Sequence, residues 1–124
     1  MKNYQSGFSL TGIIRSFRNS LRGFKVLLRL EYNLYIQISA AFLVTFLGFL
    51  LDISYTEWAI QCTVIGLVIF AELTNTAFEK TMDLVHPEQS PKVRDIKDLA
   101  SASVLFMVLV SVIAGLFIYI PKIF

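Results

Sequence analysis

The sequence is poor in the residues that build disulfides and zinc sites, with one cysteine and one histidine among 124 residues. A single cysteine excludes an intrachain disulfide, and one cysteine with one histidine cannot complete a structural zinc site. The chain also lacks a Gly-rich phosphate-binding loop ending in Lys-Ser/Thr and the motif set of protein kinases. Charged residues make up only 16% of it. Any nucleotide would therefore have to be bound by carboxylates, a metal ion and scattered cations.

Apolar residues make up 56% of the chain, and the mean hydropathy of +0.66 is too high for a soluble protein of this size. Two runs carry no charge, Leu34–Leu51 with 18 residues and Leu99–Ile120 with 22, and a membrane span needs about 20. A third run begins near Trp58 and reaches its first carboxylate at Glu72, but short loops place it between the other two. We therefore expect an all-α membrane protein with one domain over residues 1–124 and transmembrane helices at 34–51, 57–85 and 93–120.

The segment from about 9 to 30 has the pattern of an amphipathic helix that lies on the membrane surface. Its apolar residues follow helical spacing, and its basic residues share the remaining surface: Arg15, Arg18, Arg22, Lys25 and Arg29. Such residues attract anionic lipid, which explains Arg15 and Arg18 without a further role. A helix packed on soluble protein is disfavoured because the chain offers little of it, and no nucleic-acid partner is expected.

The distribution of basic residues predicts the orientation in the membrane. Six of the eleven precede the first span, and four more lie between residues 80 and 97. By the positive-inside rule, the N-terminus and the loop after the second span face the cytoplasm. We therefore expect a multi-pass protein with its N-terminus inside and the turn at 52–57 outside.

Acidic residues continue the middle helix along one face, at Glu72, Glu79 and Asp83, with Asn75 beside them. At about 100° per residue, this spacing places the other two carboxylates within about 20° of Glu72 around the axis. A carboxylate in an apolar membrane helix is costly, so a functional site is the first hypothesis. Two alternatives stay open: a structural Glu72 paired with Asn75 or a cation, and solvated interface charges at Glu79 and Asp83.

The row formed by Glu72, Glu79 and Asp83, hereafter the carboxylate stripe, is expected to run from the membrane into water. Such an arrangement is suited to phosphoryl transfer to a lipid alcohol. The reaction needs a base for the hydroxyl proton, a divalent metal for the phosphates and a cation near the leaving charge. Glu72, below the headgroups, can supply the base, and carboxylates at the water boundary can hold Mg²⁺. Lys97 can supply the cation, although on its own it is better explained by the positive-inside rule.

The run from Glu72 to Glu79, with Asp83 and then Lys97-Asp98 ahead of small residues, resembles the signature of the prokaryotic diacylglycerol kinase family. That family includes the undecaprenol kinases, and the similarity covers most of the chain, including the spacing from Gly23 to Glu31. The resemblance implies an ATP-dependent lipid kinase of the bacterial cytoplasmic membrane. It also implies a homotrimer whose sites are shared between neighbouring chains.

The resemblance further implies roles for single residues. Glu72 matches the general base that acts on the lipid hydroxyl, and Glu31 and Glu79 match the pair that holds the Mg²⁺ of Mg-ATP. The other matched positions contact the nucleotide (Glu88, Lys97 and Asp98), help to order the site (Asn75) or lie on the lipid side (Ser101). On its own, Glu31 carries little signal, and Asn75 is also explained by an interhelical hydrogen bond.

Two residues depart from the family pattern, Phe78 in place of an aliphatic residue and Ser103 in place of Gly or Ala. Both can reshape the lipid groove without touching the implied chemistry. The loop from Asp83 to Glu88 looks more like the undecaprenol branch, so the predicted substrate leans to undecaprenol over diacylglycerol. His86 lacks co-ligands, and no role is expected for it.

A small proton-coupled transporter that uses Glu72 as its carrier residue is the competing hypothesis. A transporter places such a carboxylate near the midplane with access from both sides, whereas these acidic residues cluster at one end of a helix. A non-catalytic adaptor that recruits partners through its basic helix is a third hypothesis. It leaves the carboxylate stripe unexplained.

Overall fold

A computed structural model describes residues 8–124, which form four α-helices and no strand. The helices are α1 (Leu10–Leu30), α2 (Tyr32–Leu50), α3 (Tyr55–Val85) and α4 (Pro91–Ile123). Residues 1–7 of the expected domain, including the basic residue Lys2, lie outside the described range. The predicted all-helical class is confirmed for the described residues.

Three of the helices, α2, α3 and α4, are long and apolar enough to cross a membrane, as predicted. The 19 residues of α2 span roughly 29 Å and the 31 residues of α3 roughly 47 Å, against a hydrocarbon core of about 30 Å. The hairpin of α3 and α4 forms the largest interface, α2 packs along α3, and α1 contacts α2. The hairpin therefore extends beyond α2 at the end of the bundle that carries α1, hereafter the α1 end.

Serine residues cap three helices. Ser9 and Ser90 accept hydrogen bonds from the backbone N–H of Gly12 and Val93, and Ser54 forms a reciprocal capping box with Glu57. The sequence predicts a start of the last helix at residue 93, whereas α4 begins at Pro91. Proline is well suited to the first helical position because the N–H it lacks has no partner there.

The direction of α1 relative to α2 is set at Glu31, which is extended (φ −112°, ψ 109°) and ends one helix as it begins the next. Its backbone N–H donates to the Leu27 carbonyl oxygen at 2.9 Å. The Tyr35 hydroxyl donates to the Leu28 carbonyl oxygen at 2.8 Å, which ties the first turn of α2 to the end of α1. These contacts thus place residue Glu31 at the α1 end of the bundle.

The opposite end, hereafter the turn end, is closed by residues 51–54 and a small core. Asp52 adopts a left-handed conformation (φ 51°), which an aspartate tolerates better than most residues. Ile53 is buried with Ile118 and Tyr119 of α4, and the Trp58 ring packs against this cluster. Gly48 lies directly under that ring, because a Cβ atom there would be 2.6 Å from Trp58 Cη2.

We expect Gly48→Ala to destabilise the bundle by about 1–3 kcal/mol, because the rigid indole ring has to move to admit a methyl group. Gly66→Ala is the matched control, since nothing lies within 4 Å of a Cβ atom at that helical glycine. The control should be neutral or stabilising, as alanine is the better helix former.

The measurement is thermal unfolding in detergent, followed by the fluorescence of Trp58, which is the one tryptophan of the chain. A lower midpoint with altered emission is expected for Gly48→Ala alone. Equal midpoints for the two variants would contradict the close packing of Trp58 on Gly48.

Candidate functional site

Glu72 is the centre of the candidate site and has the most deeply buried large side chain in the described residues, at 2% exposed. Asn75 (7%) and Thr76 (6%) follow it at +3 and +4 and lie on the same buried face of α3. The fourteen residues before Glu72 carry no charge, so they extend the helix through apolar surroundings. The carboxylate of Glu72, the amide of Asn75 and the hydroxyl of Thr76 thus lie together in the interior at the α1 end.

The partner of Glu72 comes from α2: Gln37 Nε2 donates to Glu72 Oε1 at 2.8 Å. Within residues 8–124, the other carboxylate oxygen, Glu72 Oε2, has no hydrogen-bond partner. The same holds for three further buried atoms in this range: Gln37 Oε1, Asn75 Oδ1 and Thr76 Oγ1. None of the three ion pairs found there involves Glu72, so pairing with a cation does not account for this residue. Buried polar atoms without partners are costly, and these are suited to receive a ligand that donates hydrogen bonds.

Two further carboxylates predicted for the site lie on the same side of the bundle as Glu72, toward the α1 end. Glu31 is at the junction of α1 and α2, Glu79 is seven residues along α3, and both are half-buried. The structure therefore places three predicted carboxylates, from separate parts of the chain, toward the α1 end of the bundle.

The donor set of Glu31 and Glu79 fits magnesium by its chemistry. Mg²⁺ is typically held by one or two carboxylates together with phosphate oxygens and water. Within residues 8–124, no three His, Cys, Asp or Glu side chains form a metal cage by themselves. Two carboxylates such as Glu31 and Glu79 can instead hold a metal ion that is also bound by the phosphates of a nucleotide.

Lys97 links the two long helices where the carboxylate stripe ends. Its Nζ donates to Asp83 Oδ1 at 2.6 Å, and both side chains are partly exposed to solvent. The neighbouring Asp98 pairs with Arg94 over 3.8 Å in a far more exposed position. Lys97, Asp98 and Arg94 line a cavity of about 480 Å³ at the start of α4. Two of the predicted nucleotide residues therefore share one cavity.

The other two predicted positions, Glu88 and Ser101, lie outside this cavity. Glu88 is exposed in the loop between α3 and α4 and does not line the cavity that Lys97 and Asp98 share. Ser101 is exposed on α4.

A second cavity, of about 450 Å³, lies between α2, α3 and α4 and is lined almost wholly by apolar side chains. Gln37 lines it toward the α1 end, and Gln61 and Tyr119 line it toward the turn end. Because Gln37 also bonds to Glu72, the apolar cavity and the buried carboxylate are direct neighbours.

Sequence reasoning assigned no site role to two residues of this cluster, Gln37 and Thr76. Gln37 is the one amide in the charge-free run of the first span, a signal of the same kind that drew attention to Glu72. Thr76 gave no such signal, because a threonine in a membrane helix usually bonds to its own backbone.

The chain is similar to known proteins over most of its length. It matches the sequence model of the family described as prokaryotic diacylglycerol kinase over residues 18–119. It is 36% identical over 113 residues to an undecaprenol kinase of Bacillus subtilis, covering 91% of this chain and 92% of that protein. It is also 36% identical over 98 residues to a diacylglycerol kinase of Pseudomonas aeruginosa, covering 79% of this chain and 71% of that protein.

Proposed function

We propose that this chain, which belongs to the prokaryotic diacylglycerol kinase family and is a lipid kinase, acts on undecaprenol. In the proposed reaction it transfers the γ-phosphoryl group of ATP to that lipid. The observation that carries the proposal is Glu72, which is buried, bonded through Oε1 to Gln37, and left without a partner at Oε2 in the described residues. A free carboxylate oxygen among apolar helices is suited to accept the proton of a lipid hydroxyl.

In the proposed reaction, Glu72 takes the hydroxyl proton as the lipid oxygen forms its bond to the γ-phosphorus. The bond between that phosphorus and the oxygen bridging to the β-phosphate breaks on the opposite side, which leaves ADP. Asn75 and Ser101 help to order the lipid side. The products are ADP and the phosphorylated lipid.

The nucleotide is assigned to the α1 end of the bundle. Glu31 and Glu79 would provide oxygen ligands for Mg²⁺, and the bound ion would reduce the charge of the phosphates. Lys97 exchanges the carboxylate of Asp83 for a phosphate oxygen, and Asp98 and Glu88 contact the rest of the nucleotide. Both partners of the Lys97 ion pair are partly exposed, so breaking it costs little.

Undecaprenol is preferred over diacylglycerol for two reasons. The similarity to the Bacillus subtilis undecaprenol kinase extends over 91% of this chain, against 79% for the Pseudomonas aeruginosa diacylglycerol kinase. The loop from Asp83 to Glu88 favours the same branch.

The proposed placement is a multi-pass protein of the cytoplasmic membrane with its N-terminus in the cytoplasm. Leu10, Ile13 and Phe17 on α1 are exposed, as expected for a helix whose apolar face enters the headgroup region. We also propose a homotrimer, on the family resemblance alone. The competing transporter hypothesis is not favoured, because the family match indicates a kinase.

Purified protein in detergent with Mg-ATP should release ADP when a lipid alcohol is present, and faster with undecaprenol than with diacylglycerol. The assay measures ADP by coupled oxidation of NADH and the lipid phosphate by chromatography. Faster turnover of diacylglycerol would overturn the lipid preference. No ADP with either lipid, from folded protein, would contradict the kinase activity itself.

Glu72→Gln should lower kcat by about 10²–10⁴-fold, the usual contribution of a general base. The fold should persist, because the substituted amide keeps an oxygen that can accept the hydrogen bond from Gln37. Glu57→Gln is the matched control, on the same helix but at the turn end. Near-normal turnover by Glu72→Gln would contradict the assignment of the base.

Lys97→Met should raise the KM for ATP about tenfold or more. A hydrogen bond to a charged group is worth about 1.5–3 kcal/mol, and about 1.4 kcal/mol changes an affinity tenfold. Lys122→Met is the control, because Lys122 also pairs with a carboxylate of α3, Glu57, but at the turn end. A steady-state titration of ATP at saturating lipid measures the effect. An equal change in KM for the two variants would show that Lys97 acts only by joining the helices.

A further inference from the structure

We propose that Gln37 is a positioning residue for the reaction: its amide N–H holds one oxygen of Glu72 so that the other faces the lipid hydroxyl. The inference rests on the proposed function, since it gives a second residue to the same site. An amide has no proton affinity suited to base catalysis, so the role of Gln37 is to orient Glu72 rather than to accept the proton itself.

The surroundings of Gln37 indicate that this hydrogen bond is the reason for a polar residue here. Its neighbours along the same cavity wall are Ile36, Ala40 and Ala41, so an amide costs more here than an apolar side chain. The bond to Glu72 at 2.8 Å offsets that cost on both sides. Within the described bundle, Glu72 is therefore the hydrogen-bond partner of the Gln37 side chain.

The hydrogen bond also distinguishes the two carboxylate oxygens. Glu72 Oε1 is engaged by Gln37, whereas Oε2 has no partner within residues 8–124. Without Gln37 the carboxylate would lose the hydrogen bond that holds it in this orientation, and it could rotate. A base that is displaced by about 1 Å loses roughly a hundredfold in rate.

Gln61 offers a matched control within the same cavity. It is buried (4% exposed), lies at the turn end, donates to the Val44 carbonyl oxygen at 3.3 Å and accepts from the Tyr119 hydroxyl at 2.6 Å. Gln37→Met and Gln61→Met each remove one interhelical amide from the cavity wall. Only Gln37 contacts Glu72.

The expected result for Gln37→Met is a fall in kcat of about 10–100-fold with the KM for ATP unchanged. Gln61→Met should keep the wild-type kcat, whatever its effect on the thermal midpoint. Gln37→Asn should resemble Gln37→Met, because its amide is withdrawn by about 1.5 Å from the carboxylate. This second variant serves if Gln37→Met fails to fold.

A double-mutant cycle with Glu72→Gln separates positioning from simple support of the fold. If Gln37 acts through Glu72, then Gln37→Met should cause no further loss in the Glu72→Gln background. The inference would be overturned if the losses of kcat in the two variants add, or if Gln37→Met loses no more kcat than Gln61→Met. In either case, lipid-dependent turnover by the wild type would leave the kinase proposal intact. Absence of lipid-dependent ADP release by the wild type would overturn both.

Discussion

The burial of one carboxylate between membrane helices is the constraint that the rest of the site depends on. An ionisable group away from water is costly unless it is hydrogen-bonded, and Glu72 is 2% exposed with one bond, from Gln37 on α2. That bond requires α2 to approach α3 at this level, although the interface between them is small. The start of α2 is fixed in turn by Glu31 and Tyr35, which set its direction relative to α1.

One helix carries the chemistry from an apolar environment to water. Along α3 the side chain of Glu72 is buried, that of Glu79 is half-buried, and that of Asp83 is exposed and paired with Lys97 of α4. In the proposed function this gradient corresponds to a lipid hydroxyl at one level and a nucleotide at the next. Because α3 is longer than the hydrocarbon core is thick, a single helix can serve both substrates.

The two ends of the bundle differ in how firmly they are joined. At the turn end, Ile53, Trp58 and Tyr119 pack together over Gly48, and Tyr119 also bonds to Gln61. At the α1 end, four buried polar atoms lack partners within residues 8–124, and one partly exposed ion pair, between Lys97 and Asp83, links α4 to α3. Exposed ion pairs are worth little, so this end can exchange its contacts for those of a ligand at low cost.

The sequence by itself determined the helical class, the three spans and the family, because apolar length and the spacing of polar residues along one helix are local properties. It also singled out Glu72, since a carboxylate in an apolar helix is conspicuous without any knowledge of its neighbours. The roles of Glu31, Glu79, Lys97 and the other matched positions stay predictions. Only the tertiary structure decided that Gln37 bonds to Glu72, that Pro91 begins a helix and that Trp58 covers Gly48. These features depend on how separate helices pack, and the periodicity within each helix does not encode which residues meet across the interface.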